Sequence, residues 1–373
     1  MRFSDIAGLE QEKRRLREMV DSGKIPHAIL LHGKEGIGKT MLARALVQYI
    51  NCKDRRDGDS CGRCPSCLQT MNLNHPDVHF VYPVTKKKSS SPVSKDYIEE
   101  WRTMLENYPF MQPEKWLETI SAGNTQPVIY VTESEEIVRI SSLTTYSSEY
   151  KIFLIWQPEK MNQEAANKLL KVIEEPFSDT LFILVSNEES KLLPTVRSRL
   201  QGIKVMPQTD VEIAGWLASK YNLPEKECLR IARIADGNPV KAEELVRNEG
   251  EIKEFTNYFI ETTRNAYARK VDELRNLSEK FAALGREKSM RLLHYFSRMV
   301  RENFIFNLKV ESLTAMTREE EAFSLRFSPF INYRNIEEIS NEIDRAISDV
   351  GRNANQKIVW FDLMLRLMVL LRK

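Results

Sequence analysis

The stretch LLHGKEGIGKT, residues 30–40, decides the fold because it has the spacing of a phosphate-binding loop. The pattern G-x-x-x-x-G-K-[ST] is met by Gly33, Gly38, Lys39 and Thr40, with Gly36 inside it. Glycines let backbone N–H groups surround phosphates, the lysine places a charge near the β and γ oxygens, and the threonine hydroxyl can ligate magnesium. The sequence therefore predicts a loop that binds ATP or ADP.

The residues around the loop predict a parallel sheet. HAILL, residues 27–31, is an apolar run typical of a buried strand, and TMLARALVQYI after the loop has helical spacing. Strands and a helix alternate further along the chain: KIFLIW at 151–156, NQEAANKLLKVIEEP at 162–176, DTLFILVS at 179–186 and GIKVMP at 202–207. This alternation predicts an α/β domain whose parallel sheet is covered by helices on both faces.

The remaining segments are predicted to be irregular or helical. KKKSSSPVSK, residues 86–95, opens an irregular stretch to about residue 126 that contains one predicted helix, YIEEWRTMLENY. Strand signals stop at residue 208, and helices are predicted at 210–221, at 225–247 and almost throughout after residue 250. The closing run KIVWFDLMLRLMVLL is too short and too charged to span a bilayer, which takes about 20 apolar residues.

Composition excludes some classes of function. The 373 residues suggest two or three domains. Lys and Arg total 55 against 53 Asp and Glu, a net charge of +2, which argues against a surface that wraps nucleic acid throughout. The amino-terminal segment MRFSDIAGLEQEKRRLREM lacks an apolar signal core. We expect a cytoplasmic protein without a membrane partner.

Four of the five cysteines crowd into sixteen residues with the spacing C-x8-C-x2-C-x2-C, at Cys52, Cys61, Cys64 and Cys67. Clustered thiols in a reducing cytosol indicate metal binding rather than disulfides. Four thiolates can close a tetrahedral Zn²⁺ site, which would be structural and not catalytic. A redox C-x-x-C and an iron–sulfur cluster are the less favoured alternatives, and His75 and His79 are spare candidate ligands that the site does not need.

The second predicted strand ends without the acids that hydrolysis needs. A carboxylate at such a strand end holds magnesium and the next acid orients the attacking water. Here the strand ends in Trp156, Gln157 and Pro158, and Glu159 is the only nearby acid. The sequence therefore favours nucleotide binding without turnover, unless a different strand is the relevant one.

Several segments together resemble a known family. SGKIPHAILLHGKEGIGKTMLARALVQYINC, the four cysteines, NKLLKVIEEP and LLPTVRSRL occur in the order of the clamp-loader AAA+ proteins of bacterial DNA polymerase III, over about residues 5–245. NANQKIVWFDLMLRL supports the remainder. The resemblance implies an α/β AAA+ P-loop module at 1–207, with a zinc module at about 52–67, then a small helical lid at 208–248 and an all-α collar at 249–373.

The same resemblance implies partners and residue roles. The collar would join motor and delta subunits in a five-membered ring that loads a sliding clamp onto primer–template DNA. The family's Ser-Arg-Cys motif falls on Ser198, Arg199 and Leu200. Arg199 would be an arginine finger that acts in trans on a neighbour's ATP, and the sensor-one positions fall near Ser186 and Asn187. Without this resemblance, Arg197 and Arg199 would be interpreted as a solvated pair.

Two departures from the family's motor subunits indicate which kind of member this is. Trp156 and Gln157 stand where the motors carry acids, and Gly237-Asn238-Pro239-Val240 replaces Gly-Ser-x-Arg. Loss of both features with the finger retained is the pattern of a non-hydrolysing stator. The insertion at about 77–126 is longer than the resemblance leads us to expect.

Two other hypotheses remain. One is an active motor-type ATPase in which Glu159 replaces the missing acids. The other is a zinc-dependent DNA-binding module, which the near-neutral charge and the lack of a basic, aromatic-rich stripe disfavour.

Overall fold

The computed structural model describes residues 1–86, 92–122, 125–177, 179–309 and 314–373, with the backbone alone at position 249. The chain divides into two compact units. The first comprises Met1–Cys228 and Ala235–Ala242, and the second Leu229–Ile234 and Glu243–Lys373. The division into an AAA+ module, a lid and a collar stays a prediction.

The first unit is built on a parallel five-stranded sheet in the order β2-β3-β4-β1-β5. The strands are β1 Ala28–His32, β2 Val78–Val81, β3 Lys151–Trp156, β4 Thr180–Ser186 and β5 Gln201–Lys204. The sequence predicted four of them. The fifth, β2, is only four residues long and pairs with β3 alone at the sheet's edge, so its sequence gave too weak a signal.

Alternate residues of the central strands face two separate cores. Ile29 and Leu154 belong to one core and Leu30 and Phe153 to the other, as the two-residue period of a strand requires. Helices complete both cores, so the predicted α/β fold with a sheet covered on both faces is confirmed. The helices that begin in this unit are α1 Glu10–Asp21, α2 Lys39–Asn51, α3 Pro65–Met71, α4 Ile98–Asn107, α5 Pro113–Thr119, α6 Val131–Ser141, α7 Gln163–Glu174, α8 Pro194–Arg197, α9 Asp210–Tyr221, α10 Glu225–Ala235 and α11 Pro239–Arg247.

The insertion is largely part of the core, contrary to the irregular stretch that its composition predicted. It contains β2, the predicted helix α4 and a second helix, α5. Trp101 on α4 stacks on Tyr82 with ring centroids 3.9 Å apart and meets Trp116 edge-on. Half of the predicted solvated loop, residues 87–91, lies outside the described residues, as do residues 123 and 124.

The second unit is helical in its described part, as predicted. Its helices are α12 Glu249–Tyr267, α13 Val271–Ala282, α14 Arg286–Asn307, α15 Arg318–Phe327, α16 Ile336–Gly351 and α17 Gln356–Leu370. Trp360 of α17 is fully buried, packs against Phe281 and Phe296, and donates a 2.7 Å hydrogen bond from Nε1 to Ser289 Oγ. Within the described ranges, no helix has both the length and the apolar composition needed to cross a membrane.

Candidate functional site

The phosphate loop connects β1 to α2 at the carboxyl edge of the sheet. Gly38 precedes the helix with a φ of 88°, a left-handed conformation that glycine adopts without steric cost. Gly33 has a φ of 150°, and a Cβ there would collide with the carbonyl of Val205. The predicted strand–loop–helix context is therefore present, with glycines where the backbone requires them.

Lys39 and Thr40 are buried with their polar atoms satisfied by protein carbonyls. Lys39 Nζ donates to the carbonyls of Gly33, at 2.9 Å, and Lys34. Burial lowers the pKa of Lys39 to about 8, against the opposing effect of Glu35. Thr40 Oγ1 donates a 2.8 Å hydrogen bond to the carbonyl of Phe110, which lies in the insertion. The loop therefore retains a charged lysine at neutral pH, but its threonine is engaged by the insertion.

Two side chains from beyond β5 hold the backbone of the loop. Asn238 Nδ2 donates to the Glu35 carbonyl at 3.3 Å, and Gln208 Nε2 donates to the Ile37 carbonyl at 3.4 Å. Val240, where the motor subunits' motif would have its arginine, is buried in the same core as β1. The segment around Asn238 thus holds the phosphate loop through hydrogen bonds. Val240 supplies no positive charge at the position where the motor subunits have an arginine.

One strand, β4, separates the end of β3 from the strand that leads into the phosphate loop. Val185 of β4 pairs with Leu31 of β1 on one side and with Trp156 of β3 on the other. Trp156 is 1% exposed and packs against Trp101 of the insertion, with ring centroids 5.5 Å apart. Gln157 follows in a left-handed conformation and is also buried. Aromatic packing therefore occupies the place where a magnesium-binding carboxylate was sought.

Glu159 lies closer to the candidate site than its sequence position suggested. It is in the short 3₁₀ turn Pro158–Lys160, and its Oε1 accepts a 3.0 Å hydrogen bond from the backbone N–H of Asn187. Its Oε2 is buried and has no hydrogen-bond partner among the described residues. Glu159 also interacts electrostatically with Lys39. The structure thus places Glu159 in contact with the predicted sensor-one segment. The sequence did not indicate this contact, because Pro158 separates Glu159 from the end of β3.

The four clustered cysteines converge at one point. Their Sγ atoms all lie within 4.8 Å of one another, and those of Cys61 and Cys67 are 4.0 Å apart. A tetrahedral zinc site with Zn–S bonds of about 2.3 Å needs sulfur atoms about 3.8 Å apart, so the donor set fits Zn²⁺. Cys52 follows the end of α2, as predicted, while Cys64 caps α3 and accepts a 3.5 Å hydrogen bond from the N–H of Cys67.

The thiols of this cluster lie in unlike electrostatic environments. A hydrogen bond from the backbone of Arg63 leads the effects that lower the pKa of Cys61 to about 6, whereas burial raises the pKa of Cys67. His75 Nε2 instead lies 3.0 Å from Ser66 Oγ, and His79 packs on Phe153. The two spare histidines therefore have other contacts, and in the described part of the chain the four cysteines are the group that could hold a metal ion.

The two candidate arginines lie at the end of α8 and just after it, and they have different partners. Arg199 Nη2 is 3.0 Å from Glu174 Oε2, and Arg199 Nη1 donates to the Thr195 carbonyl at 2.8 Å. Arg197 Nε is 2.7 Å from Glu189 Oε1. Arg199 is about one-third exposed and Arg197 more than half. Surface pairs of this kind contribute only about 0–1 kcal/mol.

The fold and site define an AAA+ P-loop domain, in which a complete phosphate loop lies near a strand end without acids. The family described as DNA polymerase III, delta subunit, matches residues 8–209, and the chain belongs to it. The predicted clamp-loader resemblance is thereby confirmed at the level of the family.

Individual relatives agree with this assignment. The delta′ subunit of DNA polymerase III from Haemophilus influenzae is 26% identical over 243 residues, which cover 65% of this chain and 62% of the relative. The Escherichia coli delta′ subunit is 25% identical over 241 residues, or 65% and 60%. The gamma/tau subunit from Mycobacterium tuberculosis is 27% identical over 197 residues, or 53% and 27%. The chain thus matches about three-fifths of these delta′ relatives and about a quarter of the gamma/tau relative.

A solved structure is also similar. The DNA polymerase III gamma subunit-related protein of Thermotoga maritima aligns with 96% of this chain and 99% of its own, at 14% identity and a TM-score of 0.38.

Proposed function

We propose that this chain is a delta′-type, non-hydrolysing stator of a bacterial clamp loader. In this role it binds ATP or ADP at the phosphate loop without turning it over, and it holds one structural Zn²⁺ at the cysteine cluster. Its partners are the motor and delta subunits of a pentameric ring, which loads the sliding clamp onto primer–template DNA in the cytoplasm. Membership of the delta-subunit family and the similarity to delta′ subunits support this proposal.

The observation that carries the absence of hydrolysis is the packing of Trp156. Phosphoryl transfer to water needs groups that hold the metal and orient the water. Trp156 is instead enclosed by an aromatic core, and the neighbouring Gln157 is buried and uncharged. Neither side chain can perform either task.

Arg199 completes the proposal as a finger acting in trans. Its present partner, Glu174, is more than half exposed, so solvent screens the pair and its release costs little. A guanidinium freed in this way can stabilise charge on a phosphoryl group of the adjoining subunit. The buried Nε of Arg199 has no hydrogen-bond partner among the described residues, which is consistent with an arrangement that a neighbouring subunit completes.

A steady-state ATPase assay on the isolated chain tests the central claim. We expect turnover far below about 1 per second, the low end for competent enzymes. Turnover near that rate, abolished by Lys39→Ala, would contradict the stator proposal.

The motor-type ATPase remains the second candidate because Glu159 has one carboxylate oxygen without a partner. If Glu159 serves as the catalytic acid, Glu159→Gln should abolish the turnover. If any residual turnover is the same in Glu159→Gln and Lys39→Ala preparations as in the wild type, it comes from a contaminant, and this candidate fails.

A further inference from the structure

The insertion covers the side of the phosphate loop where a cation would bind. Thr40 is 6% exposed, and the acceptor of its hydroxyl proton is the neutral carbonyl of Phe110, not a carboxylate. A divalent cation prefers charged oxygen ligands and an accessible threonine hydroxyl. At Thr40 the cation would find neither a charged oxygen ligand nor an accessible hydroxyl group.

The covering segment is held from several directions. Phe110 is 9% exposed and meets the ring of Trp216 edge-on, with centroids 6.1 Å apart. Arg44 of α2 donates from Nη1 to the carbonyl of Pro109 at 3.5 Å. Met111 of the segment is also buried. Moving this segment to admit a hydrated cation would expose apolar surface and break these bonds.

The two acids near the loop already interact with a positive charge. Glu159 Oε1 accepts from the N–H of Asn187, and its Oε2 has no hydrogen-bond partner among the described residues. Both Glu159 and Glu35 interact with the ammonium group of Lys39, so a positive charge already lies beside them. A cation among these groups would have to compete with Lys39 for the charge of both carboxylates.

Taken with the proposed function, on which this inference rests, we propose that the phosphate loop binds nucleoside di- or triphosphate free of divalent cation. The insertion is the part of the chain that excludes the metal. Nucleotide in solution carries Mg²⁺, which must be released on binding. By linkage, excess Mg²⁺ then weakens the apparent affinity for nucleotide, which is the opposite of its effect on a hydrolysing site.

Calorimetric titration of the full chain with ATP, in excess MgCl₂ and in Mg²⁺-free buffer without a chelator, tests this directly. We expect the apparent dissociation constant to be about fivefold or more higher in Mg²⁺, the low end of common coupling between linked ligands. Reciprocally, adding the protein to MnATP should raise the electron paramagnetic resonance signal of free Mn²⁺. Lys39→Ala should lose both responses, whereas Lys24→Ala, a surface lysine after α1, should match the wild type.

Phe110→Ala tests the part played by the insertion. Loss of the contact with Trp216 should loosen the segment and reduce the Mg²⁺ penalty, with thermal unfolding used to confirm that the variant is folded. A folded Phe110→Ala chain with an unchanged penalty would overturn the role of the insertion.

The remaining outcomes separate this inference from the proposed function. ATP binding that Mg²⁺ strengthens or leaves unchanged overturns the metal-free site but leaves a nucleotide-binding stator standing. Absence of Lys39-dependent binding overturns both the metal-free site and the nucleotide-binding part of the proposed function. Neither result affects the role of Arg199, which is measured in the assembled loader.

Discussion

The phosphate loop and the end of β3 lie on opposite sides of Val185, yet they differ in almost every chemical respect. The loop keeps the glycines, lysine and threonine of a nucleotide site. The end of β3 instead has a tryptophan that belongs to the core. The difference teaches that the groups for binding and the groups for turnover belong to separate strands of one sheet, so that the proposed function can include the first without the second.

The largest effect should come from the group that this chain would supply to another subunit. An arginine finger contributes about 10³- to 10⁵-fold to the rate of the site it serves. Arg199→Ala should therefore nearly abolish ATP hydrolysis at one site of the assembled ring. The DNA- and clamp-stimulated ATPase rate of the whole ring should fall by the fraction that this site contributes. Arg199→Lys should restore little, because lysine lacks the planar fork of the guanidinium.

Arg197→Ala is the matched control for this measurement. Its side chain is more exposed and paired with Glu189, so we expect wild-type activity in a correctly assembled loader. If Arg197→Ala cripples the complex and Arg199→Ala does not, the motif alignment is wrong by two residues. If neither matters, the stator proposal loses its main chemical support.

The second prediction treats the end of β3 as core. Trp156→Ala should lower the free energy of unfolding by about 3–5 kcal/mol, the usual cost of removing a large buried aromatic side chain. Urea denaturation gives this value. Trp216→Ala, at a partly buried position beside Phe110, should cost less. Equal losses in the free energy of unfolding at the two positions would mean that Trp156 is packed no more tightly than Trp216.

The third prediction concerns the cysteine cluster, which lies apart from the nucleotide chemistry. Metal analysis should find one Zn²⁺ per chain, and Cys64→Ser should lower zinc affinity by at least the roughly 10- to 100-fold seen when supporting groups around a metal are removed. Because ligand closure is coupled to local folding, thermal stability should fall as well. The activity that depends on Arg199 should be unchanged in loader assembled from zinc-replete Cys64→Ser chains. Cys228→Ser, outside the cluster, is the control for zinc affinity, and normal stability in metal-free wild-type protein would contradict the prediction.

The sequence predicted the fold well where the signal was local and strong. The phosphate loop, four apolar strands and the cysteine spacing each follow from residues close together in the chain. β2 was not predicted, because its four residues at the sheet's edge carry no distinctive periodicity. The cover over Thr40 could not be predicted at all, since it depends on the backbone carbonyl of Phe110, seventy residues away. Composition made the insertion look irregular, although its aromatic residues, Trp101 and Trp116, belong to the core.

The smallest effect tests the electrostatics of the phosphate loop. Burial, followed by the charge of Glu114, raises the pKa of Glu35 from 4.5 to about 7. The stability that protonated Glu35 contributes is thus complete below its unfolded pKa and lost as the pH rises through about 7. The same ionisation places an anion beside the bound phosphates. The residue keeps considerable exposed surface, so solvent screening limits the repulsion to about 1 kcal/mol, or about fivefold in affinity.

Glu35→Gln should therefore bind ATP like the wild type at pH 6 and about fivefold more tightly at pH 8. Taking the ratio of the two dissociation constants at each pH cancels the ionisation of the nucleotide, which both chains share. Glu35 raises the pKa of Lys39, so its replacement also lowers the charge of Lys39 at pH 8, and the fivefold figure is the upper end of the expected gain. Glu164→Gln, on the first turn of α7, should give a ratio near one throughout. A ratio for Glu35→Gln that does not change between pH 6 and pH 8 would mean that the carboxyl does not titrate beside the phosphates, and that only Lys39 sets the electrostatics of the loop.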